Sequence, residues 1–286
     1  MKYGFKLYTI SESMRTLDYD ISHINKNLIE YIDGFLLGDG SLTPNHKTKV
    51  GRFHCGLEHE EFCNLMMKDF SVYNGEVKKV NATSMNQGFI FQGSTKFHPD
   101  IYNQYLRWYK PTGIINSHGE MKYKKIVPKD VKLTPKSVML WYLGDGCLKC
   151  YNDTIAVQLS TDGFDIEYVE FLVSKLKQDT IIKDCHRTQE NRIRINEKSI
   201  KHFFSFIGNK SPVACYDYKF DLPLWRLEAK KLTEVAKELN VSYNRLCFLV
   251  KSGEIPCFRE KSNSKARLLK DHFDIAKKMI KSGKLY

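Results

Sequence analysis

No stretch of this sequence approaches the roughly 18 apolar residues that a membrane-spanning helix needs, so no membrane partner is expected. The first 20 residues mix aromatic side chains with both charge signs and lack the apolar core of a secretion signal. We therefore expect the eight cysteines to be reduced thiols inside a cell. Only Cys147 and Cys150 have C-x-x-C spacing, and a single such pair is a poor indication of zinc.

Acidic residues are scarce relative to basic ones. The chain has 45 Lys and Arg against 33 Asp and Glu, which gives a formal net charge of +12. Residues 225–286 contain 15 basic and 7 acidic residues and so carry +8 of that charge. This excess favours nucleic acid as a partner, and an acidic membrane surface second. A basic surface that is merely solvated is the alternative that charge alone leaves open.

Two segments about a hundred residues apart repeat each other. Residues 28–42 and 137–148 are apolar, helix-length runs that both contain Leu-Gly-Asp-Gly-x-Leu at their ends, with Asp39 and Asp145 at matching positions. After each run come an alternating strand pattern, a helical pattern, paired strand signals and a closing helix. These lie at 51–57, 60–70, 77–80 with 89–92, and 99–109, and again at 154–160, 165–176, 185–187 with 192–195, and 198–207. The sequence therefore predicts an α+β fold of two pseudo-symmetric αββαββα halves.

The domain boundaries follow from this repeat. Thr134 is a suitable N-cap, and Pro135 a suitable first residue, for the helix that opens the second copy. The stretch before it is basic and broken by Gly119 and Pro128, which is typical of a linker. The predicted parts are an N-terminal extension at 1–24, a first half at 25–113, a linker at 114–134, a second half at 135–221 and a C-terminal domain at 222–286.

Asp39 and Asp145 each stand at the end of an apolar helix. The last turn of a helix exposes carbonyl oxygens and the negative end of the helix dipole, which favours a cation there. A carboxylate adds a hard oxygen ligand suited to Mg²⁺ or Mn²⁺, and Gly38 and Gly144 let two such helices approach closely. Paired acids that hold metal against a phosphodiester are a recurrent arrangement in nucleases. One Asp-Gly pair is readily explained as an ordinary turn, but two in matching contexts favour a shared site.

These residues carry a family resemblance. Residues 32–40 (Ile-Asp-Gly-Phe-Leu-Leu-Gly-Asp-Gly) and 138–146 (Val-Met-Leu-Trp-Tyr-Leu-Gly-Asp-Gly) resemble the two motifs of single-chain LAGLIDADG homing endonucleases, and Ile-Val-Pro-Lys-Asp at 126–130 is also similar. The resemblance implies that the motif helices join the two halves and that saddle-shaped antiparallel sheets lie in the major groove of a long DNA target. It also implies that Asp39 and Asp145 are catalytic metal ligands, with the Gly38 and Gly144 carbonyls as further metal contacts. Leu140 replaces a small residue of the family pattern, so a shifted helix packing is expected.

Basic and polar residues alternate with apolar ones along the predicted strands, as expected of strands that face DNA. Arginine binds guanine edges with two hydrogen bonds, and both Arg and Lys neutralise phosphate. A solvated strand face is the alternative for each single candidate. The candidate contacts are Lys47, Lys49, Arg52, His54, Lys78, Lys79, Arg187, Arg192 and Arg194. The resemblance further implies central basic side chains near the metals, for which the candidates are Lys96 and Lys125.

The C-terminal domain has a helix-turn-helix pattern. Residues 232–239 have helical spacing, a short turn follows, and 243–251 predict a second helix. The pattern resembles the winged helix-turn-helix of excisionase- and MerR-like proteins, with 258–269 as the wing. A small helical cap that packs on the rest of the chain is the alternative. The resemblance places Tyr243, Asn244, Arg245 and Lys251 on the recognition helix, while Leu246 and Cys247 are expected to pack inward.

These observations predict a site-specific endonuclease that hydrolyses both strands of a long, asymmetric double-stranded DNA target with Mg²⁺ or Mn²⁺. Because both halves lie in one chain, we expect a monomer. Two alternatives stay open: a non-catalytic transcriptional regulator, a class that typically lacks the acids, and an RNA maturase that binds intron RNA. The C-terminal pattern and the abundant Lys, Asn and Ile favour the cytoplasm of a bacterium or phage host, with an organelle as the alternative.

Overall fold

The computed structural model describes residues 26–81, 88–151, 154–223, 228–259 and 265–283, and the structural statements below refer to those ranges. The predicted N-terminal extension, at 1–24, lies outside them. No helix in the described ranges is both long and apolar enough to cross a membrane.

The first half follows the order that the sequence pattern predicts. Its four strands form one antiparallel sheet in the order β1-β2-β4-β3. Helix ends are set by local chemistry: the His98 side chain accepts a hydrogen bond from the Asp100 N–H and so caps the third helix. The elements are α1 (Lys26–Leu37), β1 (Ser41–Asn45), β2 (Val50–Leu57), α2 (Glu60–Asp69), β3 (Glu76–Asn81), β4 (Phe89–Ser94) and α3 (Pro99–Trp108).

A β-hairpin follows the first half directly. Strands β5 (Tyr109–Ile115) and β6 (Met121–Lys125) pair antiparallel around a turn that the Asn116 side chain closes by accepting from two backbone N–H groups. The segment 114–134, predicted as a linker, therefore contains the end of one strand and all of another. Gly119 has a positive φ of 78°, a conformation that glycine adopts readily in a tight turn. It therefore forms the hairpin turn and does not mark a domain boundary.

The second half repeats the first. Its antiparallel sheet has the equivalent order β7-β8-β10-β9. The side chain of Thr134 accepts from the Ser137 N–H, and Pro135 occupies the first helical position, so the predicted helix start is confirmed. The elements are α4 (Pro135–Asp145), β7 (Gly146–Tyr151), β8 (Thr154–Leu159), α5 (Ile166–Asp179), β9 (Cys185–Arg187), β10 (Ile193–Ile195) and α6 (Glu197–Ile207).

One hydrophobic core runs through both halves. Helices α1 and α4 pack against each other at its centre, where Ile32, Leu36, Trp141 and Leu143 are fully buried. The flanking helices pack on one face of each sheet, such as α3 on β2 and α6 on β8, and leave the opposite face open. This explains the alternation along β2, where Phe53 is buried and its neighbour Arg52 is exposed.

The C-terminal part has a small core of its own. That core includes Leu232, Val235, Leu246 and Leu268, none of which belongs to the core of the two halves. Two short helices joined by a turn lead to a two-stranded sheet and a final helix. The elements are β11 (Lys230–Lys231), α7 (Leu232–Glu238), α8 (Tyr243–Lys251), β12 (Arg267–Leu268) and α9 (Lys270–Lys281).

Candidate active site

The two motif helices approach so closely that a side chain on Gly34 has no space. A Cβ on Gly34 would lie 2.6 Å from the carbonyl oxygen of Ser137 and 3.0 Å from Cβ of Leu140. Leu140, which was expected to shift the helix packing, is buried directly against Gly34. The large side chain of one helix thus faces the glycine of the other. The close contact brings the C-terminal ends of α1 and α4 together.

Asp39 and Asp145 converge at these helix ends. A Cβ on Gly144 would lie 3.2 Å from Oδ2 of Asp39, and one on Gly38 would lie 3.6 Å from the backbone nitrogen of Asp145. Gly144 therefore leaves room for the Asp39 carboxylate, and Gly38 lies at ordinary contact distance from the Asp145 backbone. The structure thus brings together the two predicted catalytic acids and the two glycines beside them.

The environment of the two acids disfavours their negative charge. Burial, and second the nearby Asp39 carboxylate, raise the pKa of Asp145 to about 6 against the opposing effect of Lys125 and Lys219. Asp39 keeps solvent-exposed surface, yet desolvation by its neighbours also raises its pKa against the effect of the same two lysines. A bound cation would relieve this accumulated negative charge.

Two lysines lie against the ends of the motif helices. Lys125 Nζ donates to the carbonyl oxygens of Leu36 (2.8 Å) and Gly40 (3.1 Å). Burial lowers the pKa of Lys125, and Asp145 and Asp39 oppose that shift. Lys125 is one of the two central basic residues that the sequence predicted, and the structure places it beside both acids.

Lys219 occupies the equivalent place in the second half, and sequence reasoning missed it. Its Nζ donates to the carbonyl oxygens of Leu143 (2.5 Å) and Gly146 (3.0 Å) and lies 3.4 Å from that of Gly144. Burial lowers its pKa, against the effect of Asp39. Its position shortly after α6, matching that of Lys125 shortly after α3, was the available signal. Lys96, the other candidate, instead lies 3.9 Å from Glu76 at the sheet edge.

A buried ion pair fixes the chain that carries Lys125. Asp33, fully buried in α1, pairs with Arg107 and accepts hydrogen bonds from Trp108 Nε1 (3.1 Å) and the Lys132 backbone N–H (2.8 Å). The chain between Lys125 and Lys132 is therefore held against α1 and α3. This network belongs to the first half, since Met139 stands at the equivalent position of α4.

The donor set at this centre fits a hard divalent cation. The Asp39 and Asp145 carboxylates supply anionic oxygens, and a cleft of about 200 Å³ lined by Gly38, Lys125, Asp145 and Asp162 opens beside Asp145. In the described ranges, His, Cys, Asp and Glu form no cluster of three that could hold a metal, so the Asp39 and Asp145 carboxylates are the side-chain ligands at this centre. Several helix-end carbonyls already accept from Lys125 and Lys219. Such oxygen-only sets suit Mg²⁺ or Mn²⁺ rather than zinc.

The open face of the first sheet carries part of the predicted DNA-contact set. Cross-strand partners share a face, and the register places Arg52, His54 and Lys78 on the open side. Lys79 is exposed but pairs with Phe91 on the opposite, helix-covered side, so it does not share the face of Lys78. Lys47 and Lys49 are exposed in the turn between β1 and β2.

The open face of the second sheet is also basic. Arg194 pairs with Gln158 on that side, whereas Ile193 is buried on the other, as predicted. Arg192 lies two residues before Arg194 and forms an ion pair with Asp162 (2.8 Å). Arg187 was wrongly assigned to this face, because it pairs with Ile193 in the register and its side chain binds Glu170 of α5 (2.7 Å).

The strand geometry separates Cys147 from Cys150. Both lie in β7, where Cys147 pairs with Gln158 and Cys150 pairs with Ile155. Residues three apart in a strand point to opposite faces, so the two thiols do not form a shared metal site.

Helix α8 of the C-terminal part exposes the residues that were predicted to contact DNA. Leu246 is buried and Cys247 packs against the small core, as expected. The four predicted contact residues Tyr243, Asn244, Arg245 and Lys251 are exposed. The wing predicted at 258–269 is described only in part: Phe258 bridges to Arg267, and residues 260–264 lie outside the described ranges.

Two proteins of known sequence are similar to part of this chain. The chain is 29% identical over 162 residues to an uncharacterised protein of Methanocaldococcus jannaschii, covering 56% of this chain and 59% of that one. It is 26% identical over 143 residues to the cytochrome b mRNA maturase bI2 of Saccharomyces cerevisiae, covering 46% and 33%. The chain thus spans less than two thirds of either relative.

A solved structure shares the fold. The homing endonuclease I-WcaI, bound to its DNA recognition sequence, superposes with a TM-score of 0.54 at 19% identity, covering 68% of this chain and 86% of that one. A family model described as the LAGLIDADG DNA endonuclease family matches residues 29–203, which include both Asp-Gly corners and more than half of the chain. The protein therefore belongs to the LAGLIDADG DNA endonuclease family.

Proposed function

We propose that this protein is a site-specific homing endonuclease that makes double-strand breaks in a long, asymmetric DNA target by metal-dependent hydrolysis. The observation that carries the proposal is the convergence of Asp39 and Asp145, with Lys125 and Lys219 beside them, at the junction of two sheets with open basic faces. One molecule holds both acids, so a monomer suffices to cut both strands.

The chain's own side chains have distinct roles in this proposal. Asp39 and Asp145 would hold Mg²⁺ or Mn²⁺, with the Gly38 and Gly144 carbonyls as further ligands. When bound, the cation supplies Lewis-acid stabilisation of phosphate oxygens and a more acidic water. Lys125 and Lys219 are held by helix-end carbonyls, so their positive charges stay beside the scissile phosphate without reorganisation.

The open faces would hold the DNA on either side of this centre. Arg52, His54 and Lys78 in the first half, and Arg194 in the second, lie on the open faces of the two sheets. Arg192, which precedes β10 and pairs with Asp162, would add to the contact in the second half. Because the side chains of the two faces differ, the two half-sites of the target should differ in sequence. Strong salt dependence of binding is expected, since each neutralised phosphate releases counterions.

We further propose that the C-terminal part is a helix-turn-helix module that binds DNA. Its own small core supports independent packing, and α8 exposes Tyr243, Asn244, Arg245 and Lys251. The concentration of basic residues in 225–286 supports a DNA-binding role over a structural cap.

An RNA maturase is the second candidate. The similarity to a yeast mRNA maturase favours it, and the same basic faces could bind structured intron RNA. A purely regulatory DNA-binding protein is disfavoured, because both acids are present and converge.

A cleavage selection separates these functions. A randomised duplex DNA pool is incubated in Mg²⁺ with the parent or with the Asp39→Asn, Asp145→Asn double variant. Site-specific double-strand cuts by the parent alone would support the endonuclease and yield its target. Binding without cutting in both samples would move the assignment to a regulator or, if intron RNA binds in preference, to a maturase.

A further inference from the structure

A basic cleft lies between the C-terminal module and the second half. It has a volume of about 620 Å³ and is lined by Tyr243 and Asn244 of α8 together with Thr154 at the start of β8. The described residues that line it include no acidic side chain. Its basic lining residues are Lys251, Arg259 and Lys265, which are exposed, together with Lys231 and the buried Arg267, which both pair with Glu197. A polyanion is the ligand class that this composition fits.

The cleft continues the open face of the second sheet. Strand β7 starts at Gly146, next to Asp145, and runs outward to Tyr151, and β8 returns from Thr154. Thr154 therefore marks the outer end of the sheet, where the cleft begins. The six residues of β7 span about 20 Å, which corresponds to roughly six base pairs at 3.4 Å per base pair.

Ion pairs fix the module at this outer end. Glu197, the first residue of α6, lies 3.2 Å from Nζ of Lys231 and 3.6 Å from Nη1 of Arg267. Lys201 of the same helix lies 3.7 Å from Glu228. The contacts join charged groups of opposite sign across the two parts, so α8 keeps a defined position relative to the second sheet.

We propose that this cleft grips the phosphate backbone of the DNA target beyond the second half, so that the protein covers one flank further than the other. The inference rests on the proposed binding of DNA along the open faces. Duplex DNA leaving the second sheet meets the cleft and then the exposed residues of α8. The cleft lies on the side of the second half, so the contact it makes is one-sided.

Footprinting with the full-length Asp39→Asn variant tests this without cleavage. The probe is a duplex recovered from a randomised pool by binding, and hydroxyl radicals map the protected sugars. The test variant adds Lys251→Ala and Lys265→Ala in the cleft. The matched control adds Lys277→Ala and Lys278→Ala, which remove the same charge from exposed positions of α9. Arg194→Ala identifies the flank that belongs to the second half.

The cleft variant should lose protection over about five outer base pairs on the Arg194 flank alone, while the control keeps the parental footprint. The slope of log affinity against log salt should fall by about 1.8, as expected for two lost phosphate contacts. Thermal melts of the two variants should differ little, since all four lysines are exposed and contacts of exposed charges contribute little to stability. A symmetric parental footprint, or an unchanged footprint of the cleft variant, would overturn the inference.

This experiment also separates the inference from the proposed function. Asymmetric, cleft-dependent protection by a protein whose parent never cuts the bound duplex would overturn the endonuclease and leave the cleft assignment standing. Failure to recover any bound duplex would overturn both.

Discussion

Lys125 and Lys219 contact the same backbone position in the two halves of the protein. Lys125 Nζ donates to the Gly40 carbonyl at 3.1 Å, and Lys219 Nζ donates to the Gly146 carbonyl at 3.0 Å. The two glycines follow the two motif acids directly. The lysines come from unlike elements, a strand and a short 3₁₀ helix, so the pseudo-symmetry of the centre extends to side chains outside the repeated motif.

Loss of one lysine should slow cleavage without releasing DNA. Lys219→Met keeps the length of the side chain but removes the charge beside the acids. Single-turnover cleavage of the recovered target should fall by about two to three orders of magnitude, as when one preorganised donor is removed from an active site, while the affinity for DNA stays close to that of the parent. Lys210→Met, at an exposed loop position, is the matched control and should cut at the parental rate. Parental cleavage by Lys219→Met would show that this lysine is structural.

The acids should make the protein less stable as pH rises. The folded-state pKa of Asp145 is about 6, above its ordinary value of 3.8, so the folded protein retains a proton that the unfolded chain releases between these values. Stability is therefore lost as pH rises from about 4 to 6, and the loss is complete above the folded-state pKa. Asp145→Asn should melt about 2–4 °C higher than the parent at pH 7.5 without divalent ions, and the difference should vanish near pH 4. An equal pH dependence in both proteins would contradict this assignment.

Divalent cations should stabilise the parent through the same acids. A ligand at a hundred times its dissociation constant adds about 2.7 kcal/mol to the free energy of unfolding. Melting temperature should therefore rise with added MgCl₂ in the parent, and stay level in the Asp39→Asn, Asp145→Asn double variant. Asp271→Asn, an exposed position in α9, should respond as the parent does. An equal rise in the double variant would place the cation elsewhere.

The buried pair of Asp33 and Arg107 should be the most sensitive structural contact near the site. Arg107→Met leaves the Asp33 carboxylate buried with its charge uncompensated, which costs about 3–5 kcal/mol of unfolding free energy. Urea unfolding monitored by circular dichroism measures the loss. Arg192→Met, which breaks the partly exposed pair with Asp162, should cost less than about 1 kcal/mol. Equal losses of unfolding free energy in the two variants would contradict the claim that the buried pair contributes more than the partly exposed one.

The repeated elements were predictable because their signals are local. Apolar spacing and capping gave the motif helices, and Thr134 with Pro135 marked a helix start that the structure confirms. The convergence of Asp39 and Asp145 was expected on condition that the two motif helices pack side by side, as the family resemblance implied, and the structure has that packing. The hairpin at 109–125 was missed because its turn glycine resembles a linker residue when the pairing of its strands is unknown.

Side-chain placement depends on register and tertiary contacts, which local patterns do not contain. Lys79 and Arg187 have the right residue type but the wrong face, because each pairs with a residue on the helix-covered side of its sheet. Lys219 was missed because it reaches the acids only through the packing of the segment after α6. Lys96 was grouped with Lys125 by residue type, which does not reveal that its side chain lies 3.9 Å from Glu76.

The most direct test of the shared centre is to measure whether the Asp39→Asn variant still cleaves both DNA strands. The recovered duplex, labelled differently on each strand, is incubated with parent or variant in Mg²⁺, and binding is measured in parallel. We predict that Asp39→Asn binds as the parent does and leaves the double-strand break unmade, because one acid of the shared metal site is gone. If the variant made double-strand breaks at the rate of the parent, or lost DNA binding, the result would contradict a catalytic centre formed by Asp39 and Asp145.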